Sequence, residues 1–363
     1  MTFKPIYTIT DKILNNISLI MAGREVIERA KLIPKWEIRL KKEANIHSAH
    51  SSTRIEGNRL TLDQVKALSE HKEVVASTKD KQEVLNYLEA LDKIEQYAKK
   101  KLNSGLLLTI HKVLSKGTLK KEEFCGAYRD RQVFVGKRIF EGTQIKEVVE
   151  YMPPETEAVP RLVEEFFNWL NSEQIKDINP VILAGIVHYE IARIHPFIDG
   201  NGRTARLLAT VLLYRSGFDH RRFFALDDYY DDNRSAYYDA LKTVTDNNGD
   251  ITQWLEYFTG GVLYSINQVK ETVEKLSFAG EVNVSEQIAL TPRQIKILGL
   301  IKEKGKIANK ELRAEFKISR QAMLKEIDKL TEANLMILVG RGRGAYYRLV
   351  ESGREKAKSE NYQ

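Results

Sequence analysis

Apolar residues recur along most of this 363-residue chain at the three- and four-residue spacing of helices that bury one face. Over 80–100, Val84, Tyr87, Leu88, Leu91, Ile94 and Tyr97 form one stripe on an otherwise polar segment. Residues 35–55 carry the same spacing without a proline, and Thr61 is placed to cap a helix opening at Leu62-Asp63. Leu106–Leu114, Pro160–Leu170, Thr204–Ser216, Asp232–Thr245 and Thr252–Leu276 predict further helices, with Pro160 tolerated in a first turn. Pro180–Ile194 is apolar on nearly every side and predicts a buried helix. The helical period lapses over 128–154. There β-prone Gln132–Gly136 precedes a stop at Tyr151-Met-Pro-Pro154, the pattern of a small hairpin or an extended loop.

The last quarter has a different rhythm. Small polar residues from Ser277 to Glu286 predict a linker over 277–290. Helical segments follow at Pro292–Lys304 (capped by Thr291), Asn309–Phe316 and Ser319–Ala333 (capped by Ser319). Met336–Val339 and Tyr346–Val350 are β-prone and flank the glycine-rich turn 340–344. Three helices and a two-stranded wing make the pattern of a winged helix-turn-helix. Arg320, Gln321 and Lys325 on its third helix are then candidate groove contacts, and Arg341 and Arg343 on the wing are candidates for a phosphate backbone.

Composition narrows the setting. Hydrophobic residues at 42% and charged residues at 29% describe a globular chain. The uncharged run Leu207–Tyr214 is too short to span a membrane, and the opening MTFKPIYTITDK lacks an apolar signal core. A single cysteine, Cys125, excludes an internal disulfide and a cysteine-based zinc site. These features predict a soluble protein of a reducing cytoplasm with no membrane partner. The net charge is +7, and residues 291–363 hold 17 Lys and Arg against nine Asp and Glu. The body is therefore close to neutral and the tail basic, which suggests a polyanion such as duplex DNA as a partner for the tail.

One segment concentrates chemistry: His195-Pro-Phe-Ile-Asp-Gly-Asn-Gly-Arg-Thr-Ala-Arg206. Gly200 and Gly202 allow a tight turn and close approach of a ligand. The amides from Asn201 onward open a helix, so their unpaired N–H groups and the helix dipole make an anion site. Arg203 and Arg206, three apart, share a helix face over that site and suit a polyphosphate. Asp199 is a hard oxygen ligand for Mg²⁺, and His195 can take a proton from an attacking hydroxyl. A lone histidine, a GNG turn or two spaced arginines would each be ordinary. Their coincidence within twelve residues is not.

The segment resembles the Fic family signature HxFx(D/E)GNGRxxR, with every constrained position filled. The resemblance extends over about residues 40–260. It implies a mainly α, Fic-type helical core with a small β-hairpin flap, to which the winged helix-turn-helix is appended. It also implies transfer of AMP from ATP onto a Tyr, Thr or Ser hydroxyl of a target protein or of the chain itself. In that reading His195 is the general base and Asp199 holds Mg²⁺. Gly200, Asn201 and Gly202 form the phosphate nest, and Arg203 and Arg206 grip the β/γ end. Ser52-Thr-Arg-Ile-Glu-Gly57 is similar to the family's inhibitory motif, (S/T)xxxE(G/N). The resemblance implies that Glu56 pairs with Arg206 and that Ser52 supports the helix end, while Gly57 stops the helix. Val133, Phe134, Val135 and Gly136 resemble the flap that overlies the nucleotide, and Tyr237 and Tyr238 the tyrosines lining an adenine pocket. Asn247 or Asn248 is a candidate for the ribose side. His188, His47 and His50 read as structural, because no carboxylate is spaced to complete a metal site with them.

The expected organisation is an N-terminal helical region at 1–100 carrying the inhibitory helix, a catalytic core at 101–276, the linker 277–290 and the winged helix-turn-helix at 291–363. Two other readings compete with an autoinhibited adenylyltransferase. One is a DNA-binding transcriptional regulator whose core senses nucleotide; the other is a bifunctional enzyme that also removes AMP. The oligomeric state is left open by the sequence, with an oligomer among the options.

Overall fold

The computed structural model describes residues 3–30, 32, 34–141, 144–219, 221–281, 291–316, 318–332, 335–340, 342 and 345–350. It is mainly helical, and its contacts divide the chain into two compact units: residues up to Arg29 with Leu40–Thr272, and Ala30–Arg39 with the chain from Val273 onward. No helix among the described residues is long and apolar enough to cross a membrane.

The larger unit begins with α1 (Asp11–Arg29) and the part of α2 (Pro34–Ile55) from Leu40 onward. Next come α3 (Leu62–Ser69), α4 (Thr78–Asp92), α5 (Ile94–Ala98) and α6 (Ser104–Ser115). An antiparallel hairpin, β1 (Val135–Glu141) with β2 (Gln144–Tyr151), interrupts the helices. Then follow α7 (Val159–Leu170), α8 (Pro180–Ile194), α9 (Asn201–Arg215), α10 (Leu226–Asp232), α11 (Arg234–Asp246) and α12 (Thr252–Glu281), the last belonging to this unit as far as Thr272. The pair α8 and α9 is the centre. Helices α5 and α6 pack on α9, and α7 on α8. As its composition requires, α8 is buried on nearly all sides. Its His188 lies in an aromatic cluster with Tyr230, Tyr237, Trp254 and Phe258.

Several boundaries differ from the sequence expectations. The 80–100 stripe is two helices, because the chain turns at Lys93, whose N–H closes onto Ala90 and Leu91. The helix expected from Asp232 begins at Arg234 behind an Asn233 cap, and α10 precedes it. Helix α9 opens at Asn201, directly out of the signature turn, as the glycine turn implies and three residues before the start that periodicity alone gives. Helix α12 continues through Glu281, so Ser277–Glu281 are helical where a linker was expected; 282–290 lie outside the described residues.

In the smaller unit, α13 (Pro292–Lys304), α14 (Asn309–Phe316) and α15 (Arg320–Glu332) precede an antiparallel hairpin of β3 (Met336–Val339) and β4 (Tyr346–Leu349). Thr291 and Gln294 form a reciprocal capping box at α13, and Ser319 Oγ accepts from the Ala322 N–H at α15. Ile297, Leu298, Ile301, Leu312, Met323 and Ile327 meet in one core. Each such burial contributes about 1.5–3 kcal/mol.

Candidate active site

The signature turn is held by its own side chains. His195 ends α8 in the left-handed region (φ 51°), and Gly200 (φ 82°) sets the start of α9. A β-carbon at the first of these positions costs about 1 kcal/mol, and glycine avoids that cost at the second. Between them the buried Asn201 side chain closes the loop: Oδ1 accepts from the Phe197 N–H at 2.8 Å and Nδ2 donates to the Phe197 carbonyl at 2.9 Å. Asn201 thus offers an anion only its backbone. Phe197 is itself buried against His111 of α6, with centroids 3.6 Å apart and planes 2° from parallel.

This packing decides the state of His195. Its Nδ1 lies 3.2 Å from the Ala192 carbonyl, which can only accept, so the proton resides on Nδ1 and Nε2 keeps its lone pair. Burial pushes the imidazole pKa down. The Ala192 hydrogen bond and Glu56 pull it up, and Arg129 pulls it down, for a net value below 6.5. At neutral pH the group is an uncharged base. The buried Arg129 fixes the backbone beneath it. Its amide donates to the Pro196 carbonyl (2.9 Å) and its Nε to the His195 carbonyl (3.0 Å). Its other nitrogens reach Thr156 Oγ1 and the Pro154 carbonyl at the base of the hairpin.

Glu56, Arg203 and Arg206 converge on the start of α9. Arg206 is buried; its Nε donates to Ser52 Oγ (2.8 Å), and its Nη2 donates to the Ser52 carbonyl (2.8 Å) and to Glu56 Oε1 (2.9 Å). Asp227 Oδ1 stands 3.3 Å from the same Nε. Burial raises the Asp227 carboxyl to about 6 even though Arg206 opposes it. For Arg206, burial works against the charge, but Glu56, Tyr237 and Asp227 outweigh it and hold the guanidinium protonated. A β-carbon at Gly202 would run into the Glu56 carboxylate, so the acid lies directly on the first turn of α9. Gly57 (φ 94°) provides the turn that ends α2 and leaves Glu56 there. Arg203, also buried, faces Asp199 Oδ1 and Glu83 Oε1 at 3.3 Å each. Arg203 Nε and Arg206 Nη1 are buried without a hydrogen-bond partner among the described residues, and Arg203 Nη1 has the Glu83 carboxylate as an ion-pair partner. Orphaned cationic donors at a helix N-terminus call for an anionic ligand with several acceptor oxygens.

Asp199 is part-exposed, with Oδ1 accepting from the Gly200 N–H at 2.6 Å. Burial would raise its pKa, but Arg203, Lys79 and that N–H together bring it below 3.8, so it is a carboxylate. Among the described residues no group of three or more His, Cys, Asp or Glu is placed to hold a metal alone. One ionised carboxylate beside a helix N-terminus fits Mg²⁺, which can take its remaining oxygens from a ligand and water.

The other candidates separate. Val133 and Phe134 are half-buried ahead of β1, Val135 pairs with Tyr151, and Gly136 sits at a bulge, where a β-carbon would strike the Val148 carbonyl. Tyr151 OH donates to the Arg193 carbonyl (2.8 Å), tying the hairpin base to α8. Tyr237 is buried, with its hydroxyl 2.8 Å from His188 Nε2, and leaves no ring face for a base. Tyr238 is 41% exposed and is the member of the pair that presents a ring. Asn247 and Asn248 lie on the exposed turn after α11. His47 Nδ1 is 2.8 Å from Asp228 Oδ2, and that bond to Asp228 raises its pKa. Burial lowers the pKa of His50. Arg320, Gln321 and Lys325 are exposed on α15; Arg341 and Arg343 lie outside the described residues.

Four site residues escaped the sequence reading: Glu83, His111, Arg129 and Asp227. The available signal was weak. Glu83 stands four before Tyr87 on the stripe of α4, and His111 shares the apolar face of Leu107 and Leu114 on α6. Nothing local marks Arg129 or Asp227.

Comparison with known proteins agrees with this geometry. Residues 101–213 match the model of the Fic/DOC family. The chain is 34% identical over 226 residues to the Protein adenylyltransferase Fic of Drosophila erecta, covering 60% of this chain and 40% of that protein. It is 34% identical over 223 residues to its namesake in Drosophila grimshawi, covering 60% and 41%. The chain therefore spans about 40% of the length of these curated relatives. Among solved structures, a Fic family protein from Desulfovibrio desulfuricans G20 superposes with a TM-score of 0.62 at 26% identity, covering 97% of this chain and all of that one. Fic-1 from C. elegans shares the fold at a TM-score of 0.59 and 24% identity, over 72% and 74% of the two chains. The turn that seats His195, Asp199 and the two arginines thus belongs to a Fic/DOC family domain, carried by this chain at residues 101–213.

Proposed function

We propose that the chain is an autoinhibited protein adenylyltransferase that moves AMP from ATP to a Tyr, Thr or Ser hydroxyl of a target protein or of itself. The observation that carries this reading is the Glu56 carboxylate on Arg206 and against Gly202, at the helix N-terminus where the terminal phosphates would lie. His195 Nε2 takes the proton of the acceptor hydroxyl as that oxygen attacks the α-phosphorus. The bond from the α-phosphorus to its bridging oxygen breaks, and pyrophosphate leaves into the grip of Arg203, Arg206 and the α9 amides. Asp199 would hold Mg²⁺, which supplies charge neutralisation on the phosphates. Tyr238 offers a ring to the adenine, and the β1–β2 hairpin acts as the flap over nucleotide and target segment. Glu56 opposes this chemistry by occupying the charge that the γ-phosphate needs.

Label position tests the reaction type. With Mg²⁺ and cell lysate, ATP carrying ³²P at the α-phosphate should label protein, and ATP labelled only at the γ-phosphate should not. Labelling from the γ-phosphate alone would mean kinase chemistry and end the proposal.

A second reading concerns the smaller unit, which we take to be a winged helix-turn-helix that binds duplex DNA. It rests on α15 presenting Arg320, Gln321 and Lys325 to solvent as the third of three helices, with a two-stranded hairpin after it. Retention of duplex DNA in a gel shift should fall steeply with salt, and Arg320→Ala should weaken it further. No retention at low salt would discard the DNA reading and leave the transferase untouched.

A further inference from the structure

We infer that His111 is a positioning residue for nucleotide binding: a neutral imidazole that holds the Asp199–Gly200 peptide in the one orientation that aims both the Asp199 carboxylate and the α9 amides at the phosphates. The inference rests on the adenylyltransferase reading and goes beyond it, because His111 lies outside the signature.

Both ring nitrogens of His111 are committed. The Gly126 N–H donates to Nδ1 at 3.0 Å, so Nδ1 carries no proton. Nε2 therefore bears the hydrogen and donates to the Asp199 carbonyl at 2.9 Å. The ring face is committed as well, stacked on Phe197 at 3.6 Å. The residue is fully buried, and its helix α6 packs along α9. One side chain thus touches the signature turn twice, at Phe197 and at Asp199, from an element that belongs to neither flanking helix.

The Asp199 carbonyl is the decisive contact. The peptide it belongs to joins Asp199 to Gly200, which starts α9 in the left-handed region. A glycine there accepts many backbone angles, so its own sequence does not choose one. A rotation of that peptide would turn the Gly200 N–H away and release the Asp199 Oδ1 that this N–H holds at 2.6 Å. The bond from His111 selects the rotation. The Gly126 side is equally specific: Gly126 has φ 78°, and a β-carbon there would collide with the Leu108 carbonyl and with Lys112 Cβ. Only glycine brings the donor close enough to fix the tautomer of His111. Three residues on, Arg129 grips the His195 and Pro196 carbonyls. The turn after α6 therefore braces the signature loop at both ends.

The test uses the full-length Glu56→Gly chain as parent, so that the inhibitory carboxylate does not mask binding. His111→Phe keeps the stack on Phe197 and removes both hydrogen bonds; His111→Gln restores a donor near the Nε2 position. The readouts are the Kd for ATP with Mg²⁺ by calorimetry, KM and kcat for α-phosphate labelling, and Tm. His111→Phe is expected to weaken ATP binding about tenfold or more and to raise KM by a similar factor, while His111→Gln recovers much of both. A purely structural role would lower Tm in both variants without moving Kd. Parental Kd in folded His111→Phe overturns the inference; should His111→Phe not fold, His111→Gln is compared with His111→Leu at matched Tm, and equal Kd values overturn it. A parent that binds no ATP overturns the nucleotide reading and this inference with it, whereas a binding parent with unaffected variants overturns this inference alone.

Discussion

Glu56→Gly should raise labelling from α-phosphate-labelled ATP by about 10- to 100-fold. A hydrogen bond between charged groups is worth about 1.5–3 kcal/mol, and each 1.4 kcal/mol is a factor of ten. The Glu56–Arg206 contact at 2.9 Å is such a bond, and an incoming phosphate must break it. The γ-phosphate also has to displace a carboxylate that lies on the first turn of α9, so the cost is steric as well as electrostatic. Arg206 should stay in place when Glu56 is removed. Ser52 holds it through two bonds of 2.8 Å, and Asp227 faces it at 3.3 Å. The variant is therefore a released enzyme rather than a damaged one. Glu56→Gln, which keeps the shape and loses the charge, should fall between the two. Equal labelling by wild type and Glu56→Gly would remove the inhibition claim and leave the transferase claim standing.

What the sequence disclosed about this architecture follows the range of the interactions involved. The signature turn was legible because its bonds are local: Asn201 to Phe197, Gly200 to Asp199 and Thr204 to Gly200 all span four residues or fewer. The helix starts of the smaller unit were legible for the same reason, since the caps at Thr291 and Ser319 act within a few positions. Helix α1 was missed because its buried face includes Asn16 and Gly23, which break the apolar stripe. Both have tertiary reasons: Asn16 bonds Thr259 at 3.0 Å, and Gly23 makes room for Ile266. The counter-ions of the two arginines stayed hidden likewise. Glu83 and Asp227 are brought to Arg203 and Arg206 by packing alone, from helices that carry no motif. Tyr237 and Tyr238 show the limit of adjacency. Neighbouring helical positions point about 100° apart, so one tyrosine enters the core and the other meets solvent.

His195→Ala, made in the Glu56→Gly background, should cut labelling by about 10²- to 10⁴-fold, the usual worth of a positioned general base. ATP affinity should hold, because the phosphate-binding groups are on α9 and His195 is not among them. Loss of Kd together with rate would mean that the imidazole supports the loop and does not act on the acceptor hydroxyl. The pH profile separates these roles further. As a base, His195 is active when unprotonated, so kcat/KM should fall as pH drops through its pKa in the free enzyme. That pKa lies below 6.5, with burial as the largest cause, so the rate should be level around neutrality and decline only in more acidic solution. The sign of the second-order effect is fixed too. Glu56 pulls the His195 pKa upward, so deleting the carboxylate should carry the acid limb to still lower pH. An acid limb that moves up in Glu56→Gly, or none in either protein, would assign the base to another group.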